Sequence, residues 1–556
     1  MGTLDWVVIG IFFLALIGII VWVVKQKQND SADYFLGGRD ATWLAIGASI
    51  FASNIGSEHL IGLAGAGASS GMAMAHWEIQ GWMILILGWV FVPFYSRSMV
   101  YTMPEFLERR YNPQSRTILS VISLISYVLT KVAVTVYAGG LVFQQVFGIK
   151  ELWGIDFFWI AAIGLVVLTA LYTIFGGMKS VLYTSVLQTP ILLLGSLIIL
   201  VLGFKELGGW DEMMSICSAV TVNEYGDTMT QLIRDNNDPN FPWLGALVGS
   251  AIIGFWYWCT DQFIVQRVLS GKNEKEARRG TIFGAYLKLL PVFLFLIPGM
   301  IAFALHQKYI GAGGEGFLPL LANGTANADA AFPTLVAKLL PAGVKGLVVC
   351  GILAALMSSL ASLFNSSAML FTIDFYKRFK PETPEKKLVG IGQIATVVIV
   401  ILGILWIPIM RSVGDVLYTY LQDVQSVLAP GIAAAFLLGI CWKRTSAKGG
   451  MWGLIAGMII GLTRLGAKVY YSNTAITDSS MFKYLFYDLN WLFFCGWMFL
   501  FCIIVVIAVS LMTEAPSAEK IQGLVFGTST PEQKAATRAS WNHWDIIHTV
   551  IILAIT

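Results

Sequence analysis

The sequence has few charged residues. Asp, Glu, Lys and Arg make up 12% of the 556 positions, whereas soluble globular chains carry about 25%. Hydrophobic residues reach 57%, the mean hydropathy is +0.73, and long apolar runs recur from one end to the other. The composition therefore excludes an ordinary soluble domain and predicts an all-α protein that crosses a membrane many times.

Cysteine pairs and phosphate-binding motifs are missing as well. The six cysteines show no CxxC spacing, and only Cys217 lies in a polar loop, so the pattern predicts neither a disulfide framework nor a zinc site. The chain has no Walker motif, so ATP is not expected to supply energy. Lys and Arg are spread among loops, which argues against a nucleic-acid partner. The five histidines offer no facing pair for a heme, and neither an enzyme nor a redox subunit is expected.

Long apolar segments dominate what is present. A membrane-spanning helix needs about 20 mostly apolar residues. Fourteen segments are candidates: 4–24, 41–69, 72–97, 117–147, 152–177, 180–205, 242–270, 281–306, 341–376, 388–410, 414–441, 448–470, 486–512 and 543–556. The first lacks the flanks of a signal peptide and is predicted to be retained. The last is too short to span, so the chain is expected to continue beyond Thr556.

Basic residues predict the orientation of these segments. They concentrate in residues 25–39, 97–116, 272–279, 377–387 and 443–448, and all of these loops lie on one side if the N-terminus is outside. The alternate loop 206–241 is acidic. Because cytoplasmic loops carry an excess of Lys and Arg, we expect a plasma-membrane (inner-membrane) protein with an extracytoplasmic N-terminus.

Two predicted spans look interrupted. Residues 51–71 read FASNIGSEHLIGLAGAGASSG, where polar residues and glycines interrupt an apolar run. Residues 242–270 carry Gly254, an aromatic cluster and then Asp261. The two spans are five apart, and an odd number of spans inverts the second unit, so the spacing suggests two five-helix units of opposite orientation. Paired interrupted segments are the best sequence pointer to a transporter's binding site.

A broken helix in hydrocarbon needs partners for its freed backbone groups, since each unpaired group costs several kcal/mol. Exposed carbonyl oxygens and hydroxyls suit a hard cation such as Na⁺. Ser358 and Ser359, inside the ninth span, can supply the hydroxyls. The alternative is that these serines only bond to their own backbone or allow close helix packing.

Ionisable residues inside predicted spans mark functional candidates. Glu78 and Lys288 would be costly facing lipid, and together they leave a site near neutral; a structural pair between helices is the alternative. His59 alone more often indicates a satisfied interior histidine than a ligand. Lys131 and Asp261 are expected to pair structurally.

A neutral ring-shaped solute fits this set of residues. A sugar offers an apolar face for stacking on an aromatic ring and hydroxyls for polar groups. The aromatic run 255–258 lies beside the second interruption, although interfacial belts explain many Trp and Tyr residues. The polar members of the set are Asn54, His59, Glu78, Lys288 and Gln422.

Four segments carry a family resemblance: ADYFLGGRDATWLAIGASIFASNIGSEHLIGLAGAGASSG, WYWCTDQFIVQRVLSGKN, MSSLASLFNSSAMLFTIDFYKRF and FLLGICWKR. They resemble the sodium/solute symporter family, and within it the sodium–glucose cotransporters. The resemblance implies a five-plus-five inverted-repeat core of the leucine-transporter type, flanked by extra helices to a total of about fourteen. It also implies a sodium site between the two repeats.

The resemblance implies particular site residues. The sodium ligands would be the carbonyl oxygens of Ala52, Ile55 and Ala355 and the hydroxyls of Ser358 and Ser359. The sugar contacts would be Asn54, His59, Glu78, Tyr257, Trp258, Lys288 and Gln422. Tyr257 would stack on the sugar as the inner gate, and the outer gate would be Leu63, Trp77 and Tyr418.

Several positions depart from the family pattern. Ser185 stands where members usually have an aspartate, and Ala361 where some have a hydroxyl; both positions are tied to a second sodium in those members. With both groups absent, the sequence predicts one Na⁺ per sugar. Gly254 and Gln425 also differ from many members, so the contacts with a hexose are expected to change.

Together these patterns predict a Na⁺-driven symporter that takes up a neutral hexose, of the glucose or galactose class, by alternating access. Its partners would be the sugar, the sodium ion and membrane lipid, with no obligate protein partner. Symporters for inositol, sialic acid or proline fit the same sodium site, and an ion channel is a separate alternative that no filter motif supports. The predicted divisions are an N-terminal extra helix and cytoplasmic loop (1–40), a first repeat (41–205), an extracytoplasmic loop (206–241), a second repeat (242–441) and C-terminal extra helices (442–556).

Overall fold

The computed structural model of the chain describes residues 1–26, 30–56, 58–321, 324–411, 417–472 and 480–556. Within the helices, the side chains of residues 58, 129, 130, 145, 409–411, 417–423 and 472 also lie outside this description. The protein is mostly helical. A two-residue strand, β1 (Glu151–Leu152), pairs antiparallel with β2 (Ile155–Asp156).

Of the first ten helices, only the first by itself has the length of a membrane span, about 20 residues. They are α1 Thr3–Lys25, α2 Ser31–Leu36, α3 Trp43–Asn54, α4 Ala64–Ser70, α5 Ala75–Glu78, α6 Gly81–Ile86, α7 Val92–Ser98, α8 Met103–Arg110, α9 Pro113–Ser126 and α10 Ala133–Phe147. Turns of 3₁₀-helix (Gly37–Arg39, Gly71–Met74) and π-helix (Glu58–Leu63, Leu87–Phe91, Tyr127–Val132) join several of them.

The remaining helices complete the chain. They are α11 Phe157–Leu207, α12 Trp210–Ser218, α13 Trp243–Phe255, α14 Gln262–Leu269, α15 Glu274–Lys288, α16 Ile297–Gly311, α17 Ala331–Leu339, α18 Val344–Met369, α19 Lys377–Phe379, α20 Glu385–Arg411, α21 Leu417–Cys441, α22 Ala447–Ser472, α23 Met481–Lys483, α24 Trp491–Met512, α25 Ala518–Ile521, α26 Pro531–Ala539 and α27 His543–Ile555. A 3₁₀ turn (Ala328–Ala330) and π turns (Trp256–Thr260, Val292–Leu296, Leu370–Tyr376, Tyr484–Asp488) lie between them.

Within the described ranges, ten helices are long and apolar enough to cross a membrane. The longest, α11, has 51 residues and would measure about 77 Å if straight, more than twice the ~30 Å of a bilayer core. Its backbone turns at Gly177, where φ is 53° and ψ is −151°. The two arms of α11 correspond to the separate spans predicted at 152–177 and 180–205.

Several membrane helices in the described part of the chain are interrupted. α3 ends at Asn54, and the backbone is extended at Ile55 (φ −79°, ψ 104°), which confirms the first predicted break. The second predicted break is confirmed at Asp261 (φ −75°, ψ 127°), between the π turn that follows α13 and the start of α14. A third interruption, at Ile79 and Gln80 between α5 and α6, has no counterpart among the predicted breaks.

The interrupted helices pack against long continuous ones. α3 contacts α11, α15 and α18, and α11 runs beside α18. α21, α22 and α24 pack on one another, and both α21 and α24 contact α13. α27 lies against α6 and α15, where Arg279 pairs with Asp545 at 2.9 Å. This packing brings the break in α3 beside the serine-rich middle of α18.

Candidate functional site

A small buried cavity lies between the interrupted helices. Its volume is about 30 Å³, which is room for a water or two and far too little for a hexose. Its walls are Asn54, His59, Trp77, Glu78, Gln80, Ile253, Gly254, Tyr257, Trp258, Lys288 and Gln425. The predicted sugar contacts therefore line one cavity, except Gln422, whose side chain lies outside the described residues. A solute of hexose size fits only when the walls move apart.

A buried ion pair forms one wall of this cavity. Lys288 Nζ lies 2.5 Å from Glu78 Oε2, and the two side chains are 4% and 3% exposed. His59 Nε2 lies 3.3 Å from the same carboxylate oxygen, and Asn54 Nδ2 lies 3.4 Å from His59 Nε2. A buried charge is costly unless it is paired. The carboxylate and the ammonium balance each other, so the wall suits an uncharged solute that offers hydroxyls.

Tyr257 and Trp258 form an aromatic wall. Both belong to the π turn Trp256–Thr260, which precedes the second break. Their ring centroids lie 4.9 Å apart at 89°, and Lys288 Nζ lies 5.5 Å from the centroid of the Trp258 ring. An aromatic face beside hydrogen-bonding groups can stack on the apolar face of a ring-shaped solute.

Sequence reasoning missed two wall residues, Gln80 and Ile253. Gln80 occupies the interruption between α5 and α6 and follows Glu78 by two positions. Because the helix ends at Glu78, the chain turns there and both side chains reach the same cavity. The one sequence feature that could have pointed to Gln80 is its closeness to Glu78. Closeness in the chain does not by itself show whether a side chain faces a cavity or lipid. Gly254 and Gln425, noted only as departures from the family pattern, also line the cavity.

A pair of tryptophans lies at one side of the cavity. Trp77, a predicted gate residue, packs against Trp491 with ring centroids 5.6 Å apart and planes at 55°. Leu63, the second predicted gate residue, is buried at 1% exposure. The third, Tyr418, has a side chain outside the described residues. Trp491 begins α24, outside both predicted repeats, and no sequence pattern pointed to it.

Ser359 contacts the break in α3. Its Oγ lies 2.8 Å from the carbonyl oxygen of Ser53 and 3.2 Å from that of Ile55. Gly56 permits this approach, because a Cβ there would lie 2.7 Å from Ser359 Oγ. Freed carbonyl oxygens and a hydroxyl thus converge on one point, which is the chemistry that a Na⁺ site needs.

The other predicted cation ligands lie close by. Ser358 Oγ is 3.3 Å from Ser185 Oγ on α11, and the Ser185 hydroxyl donates to its own helix at 2.6 Å. Ala52 and Ala355, on the packed helices α3 and α18, are each 1% exposed. Ser359 is therefore the predicted ligand that the structure connects most directly to the break.

A second cavity, of about 10 Å³, lies beside Ser359 and shares two wall residues with the larger cavity. Its walls are Ser53, Asn54, Gly56, Lys131, Thr135, Tyr257, Phe263, Ser359 and Leu363. Asn54 and Tyr257 line both cavities. A movement of either side chain in response to one ligand therefore changes the walls that meet the other.

Lys131 and Asp261, both expected to pair structurally, pair with each other. Lys131 Nζ lies 2.8 Å from Asp261 Oδ2, and the Tyr127 hydroxyl also donates to this carboxylate. Asp261 caps α14 by accepting a hydrogen bond from the backbone N–H of Phe263 at 3.2 Å. Lys131 Nζ lies 4.6 Å from the centroid of the Tyr257 ring, so this cluster stabilises the second break directly beside the aromatic wall.

Comparison with known proteins identifies a family and its members. A model of the Sodium:solute symporter family matches residues 34–457. The sodium/myo-inositol cotransporter 2 of Homo sapiens is 37% identical over 538 residues, which cover 94% of this chain and 79% of that protein. The sodium/glucose cotransporter 4 of Mus musculus is 36% identical, with 95% and 78% covered. The sodium/glucose cotransporter 1 of Ovis aries is 37% identical, with 92% and 79% covered.

A solved structure has a similar fold. A Na⁺-coupled sialic acid symporter, in a substrate-bound outward-open state, superposes on this chain with a TM-score of 0.73 at 22% identity. The alignment covers 93% of this chain and 99% of that one. At this identity the likeness concerns the helical architecture alone.

Proposed function

The chain belongs to the sodium:solute symporter family, and on that premise we propose that it moves a neutral hexose of the glucose or galactose class into the cell together with Na⁺. Membership makes the protein a multi-pass membrane transporter with Na⁺ as its coupling ion, and not an enzyme. The substrate and the direction of transport are part of the proposal.

The main support for a neutral solute is the ion pair between Glu78 and Lys288 in the larger cavity. The two charges balance each other at 2.5 Å, so the site offers a carboxylate acceptor and an ammonium donor without a net charge that would attract an ion. The rings of Tyr257 and Trp258 supply an apolar face beside them. A hexose has hydroxyls for the pair and a ring face for the aromatic wall.

The coupling ion would bind beside the break in α3. The proposed ligands are the carbonyl oxygens of Ala52, Ile55 and Ala355 and the hydroxyls of Ser358 and Ser359. The Ser359 hydroxyl would turn its hydrogen away and present its oxygen, together with the carbonyl oxygen of Ile55, to the ion. Asn54, which lies between the two cavities, would transmit ion occupancy to the sugar contacts.

Transport would proceed by alternating access. Trp77, with Leu63 and Tyr418, would close the site toward the outside, and Tyr257 would release the sugar toward the inside. A ligand shifts a conformational equilibrium only by its differential affinity for the two states. Na⁺ would therefore favour the outward-open state by binding the ligand set around Ser359 more tightly in that state than in the inward-open one. One Na⁺ moving across 100 mV releases about 2.3 kcal/mol. This free energy would support a roughly fiftyfold ratio of solute concentration between the inside and the outside.

The finer architecture is proposed on the same basis. Two inverted five-helix repeats, at 41–205 and 242–441, would form the core, with the loop 206–241 outside. Extra helices at 1–40 and 442–556 would bring the total to about fourteen, with the N-terminus outside the cell. The five-span separation of the breaks at Ile55 and Asp261 supports this division.

A second candidate substrate is myo-inositol, because the relative from Homo sapiens that is 37% identical is a sodium/myo-inositol cotransporter. Like a hexose, it is an uncharged six-membered ring with several hydroxyls, so the same wall residues would suit either solute once the walls move apart. Uptake of labelled D-glucose, D-galactose, myo-inositol, sialic acid and proline into proteoliposomes, driven by an inward Na⁺ gradient, separates these candidates. Uptake of a sugar that collapses when Na⁺ is replaced by choline supports the proposal. Uptake of proline or sialic acid alone, or Na⁺ conduction at channel rates, contradicts it.

A further inference from the structure

Gln80 reaches the wall of the larger cavity from the interruption between α5 and α6. The residue is 3% exposed, and its Nε2 donates a hydrogen bond to the carbonyl oxygen of Ser250 at 3.0 Å. This bond fixes the orientation of the amide, because only the –NH₂ end can donate to a carbonyl. The carbonyl end, Oε1, is therefore the end that remains for another partner.

Oε1 fills the space beside Gly254. A Cβ at position 254 would lie 2.4 Å from Gln80 Oε1 and 3.1 Å from Gln80 Cδ. Gly254 lines the same cavity, so the oxygen stands where a side chain from α13 would otherwise stand. In the part of the chain that the structure describes, no group donates a hydrogen bond to this oxygen, and it is not sealed from the cavity.

We propose that Gln80 Oε1 accepts a hydrogen bond from one hydroxyl of the transported solute, and that Gly254 leaves it the room to do so. This inference rests on the proposed function and deepens it, because it adds a specificity determinant to the site. Glu78 and Gln80 then supply a charged and a neutral acceptor from the two sides of one helix interruption. A solute must bring a donor to each.

An unpaired buried acceptor discriminates strongly against solutes that lack the matching donor. A deoxy or O-methyl analogue modified at the position that meets Gln80 leaves Oε1 buried without a hydrogen. Such an analogue is therefore rejected, while analogues modified elsewhere are rejected through other wall residues. The Gln80–Gly254 pair thus selects for a hydroxyl at one ring position.

The first test is the Gln80→Met variant, which keeps the length of the side chain and removes both amide groups. Na⁺-driven uptake is measured with whichever of labelled D-glucose or myo-inositol the wild-type protein carries. The expected result is a KM raised about 3- to 10-fold, the effect of one hydrogen bond, with the Na⁺ concentration for half-maximal uptake unchanged. Gln393→Met is the matched control, because Gln393 also donates to a backbone carbonyl at 3.0 Å (that of Ile174) and lies away from the cavity.

The second test separates recognition from a purely structural role. Monodeoxy analogues of the solute compete against labelled uptake by wild-type and Gln80→Met proteins. One analogue is expected to inhibit uptake equally well in the two proteins, because it lacks the hydroxyl that Gln80 would bind. That analogue identifies the hydroxyl. An equal shift for every analogue means that Gln80 only holds the fold through Ser250, and it overturns the proposal.

The third test concerns the shared space. Gly254→Ala displaces Oε1 and is expected to raise KM about as much as Gln80→Met does. In a protein that already carries Gln80→Ala, the space beside position 254 is free, so Gly254→Ala is expected to raise KM no further. Full additivity of the two changes overturns the proposal.

An unchanged KM in Gln80→Met beside normal wild-type uptake overturns this inference alone. Absence of any Na⁺-driven uptake by the wild-type protein overturns the proposed function and this inference with it.

Discussion

Ser359 Oγ lies 3.2 Å from the carbonyl oxygen of Ile55, although 304 positions separate the two residues in the chain. That oxygen is available to a partner outside the helix because the backbone leaves the helical conformation at Ile55. A hydroxyl from α18 satisfies it in the buried interior, where an unpaired carbonyl would cost several kcal/mol. The contact joins the first predicted repeat to the second at the point where a cation would be bound.

Ser359→Ala is expected to raise the Na⁺ concentration for half-maximal uptake by at least about tenfold, because a ligand to a charged species is lost. The measurement is initial uptake into proteoliposomes over a series of Na⁺ concentrations. Ser367→Ala is the control, since this buried hydroxyl on the same helix has no partner among the described residues. An unchanged Na⁺ dependence in Ser359→Ala would remove this residue from the ligand set.

Glu78→Gln is expected to abolish uptake and to lower thermal stability, because Lys288 is left as an unpaired buried charge at a cost of about 3–5 kcal/mol. Thermal unfolding in detergent, followed by tryptophan fluorescence, measures the second effect. The double variant Glu78→Gln/Lys288→Met is expected to recover most of the stability and none of the transport. Restored transport in the double variant would show that the pair only holds the helices together.

Gln422→Ala is expected to weaken hexose uptake while the Na⁺ dependence stays as in the wild-type protein, because the predicted contact is with sugar alone. The readout is KM for the hexose at saturating Na⁺, with the Na⁺ titration run beside it. Gln393→Ala, away from the cavity, is the control. A normal KM in Gln422→Ala would exclude this residue from the sugar site.

One Na⁺ is expected to move with each solute molecule. Ser185 stands where the family resemblance implies an aspartate tied to a second ion, and its hydroxyl donates to the carbonyl oxygen of Val181 at 2.6 Å. Reversal potentials in proteoliposomes, at imposed Na⁺ and solute gradients, give the ratio directly. A ratio of two ions per solute would contradict the argument from Ser185.

Trp491→Ala is expected to raise KM for the solute about 2- to 10-fold, because Trp77 loses the ring that it packs against and such pairs contribute about 0.5–1.5 kcal/mol. Trp491→Phe should keep most of the affinity. Trp153→Ala is the control, since Trp153 is 84% exposed. If Trp491→Ala transports with an unchanged KM, the two tryptophans form a contact that does not help to close the site.

Much of the site could be predicted because polarity is conspicuous in an apolar chain. Asn54, Glu78 and Lys288 each interrupt a hydrophobic segment, and such residues avoid lipid, so their shared interior location follows from the sequence. The breaks at Ile55 and Asp261 follow in the same way, from polar residues and glycines within spans. Gln80 was missed because the turn after Glu78 has no strong sequence signal, and Trp491 because tryptophans are common throughout this chain.

The sequence by itself determined that the chain crosses a membrane repeatedly, where two of its helices break and which polar groups are kept from lipid. These properties depend on residues close together in the chain, and hydropathy reports them directly. Only the tertiary structure decided that Ser359 meets Ile55, that Gln80 fills the space beside Gly254 and that Trp491 covers Trp77. Such contacts depend on how helices distant in the chain pack side by side, and the residue types alone allow many partners for each group.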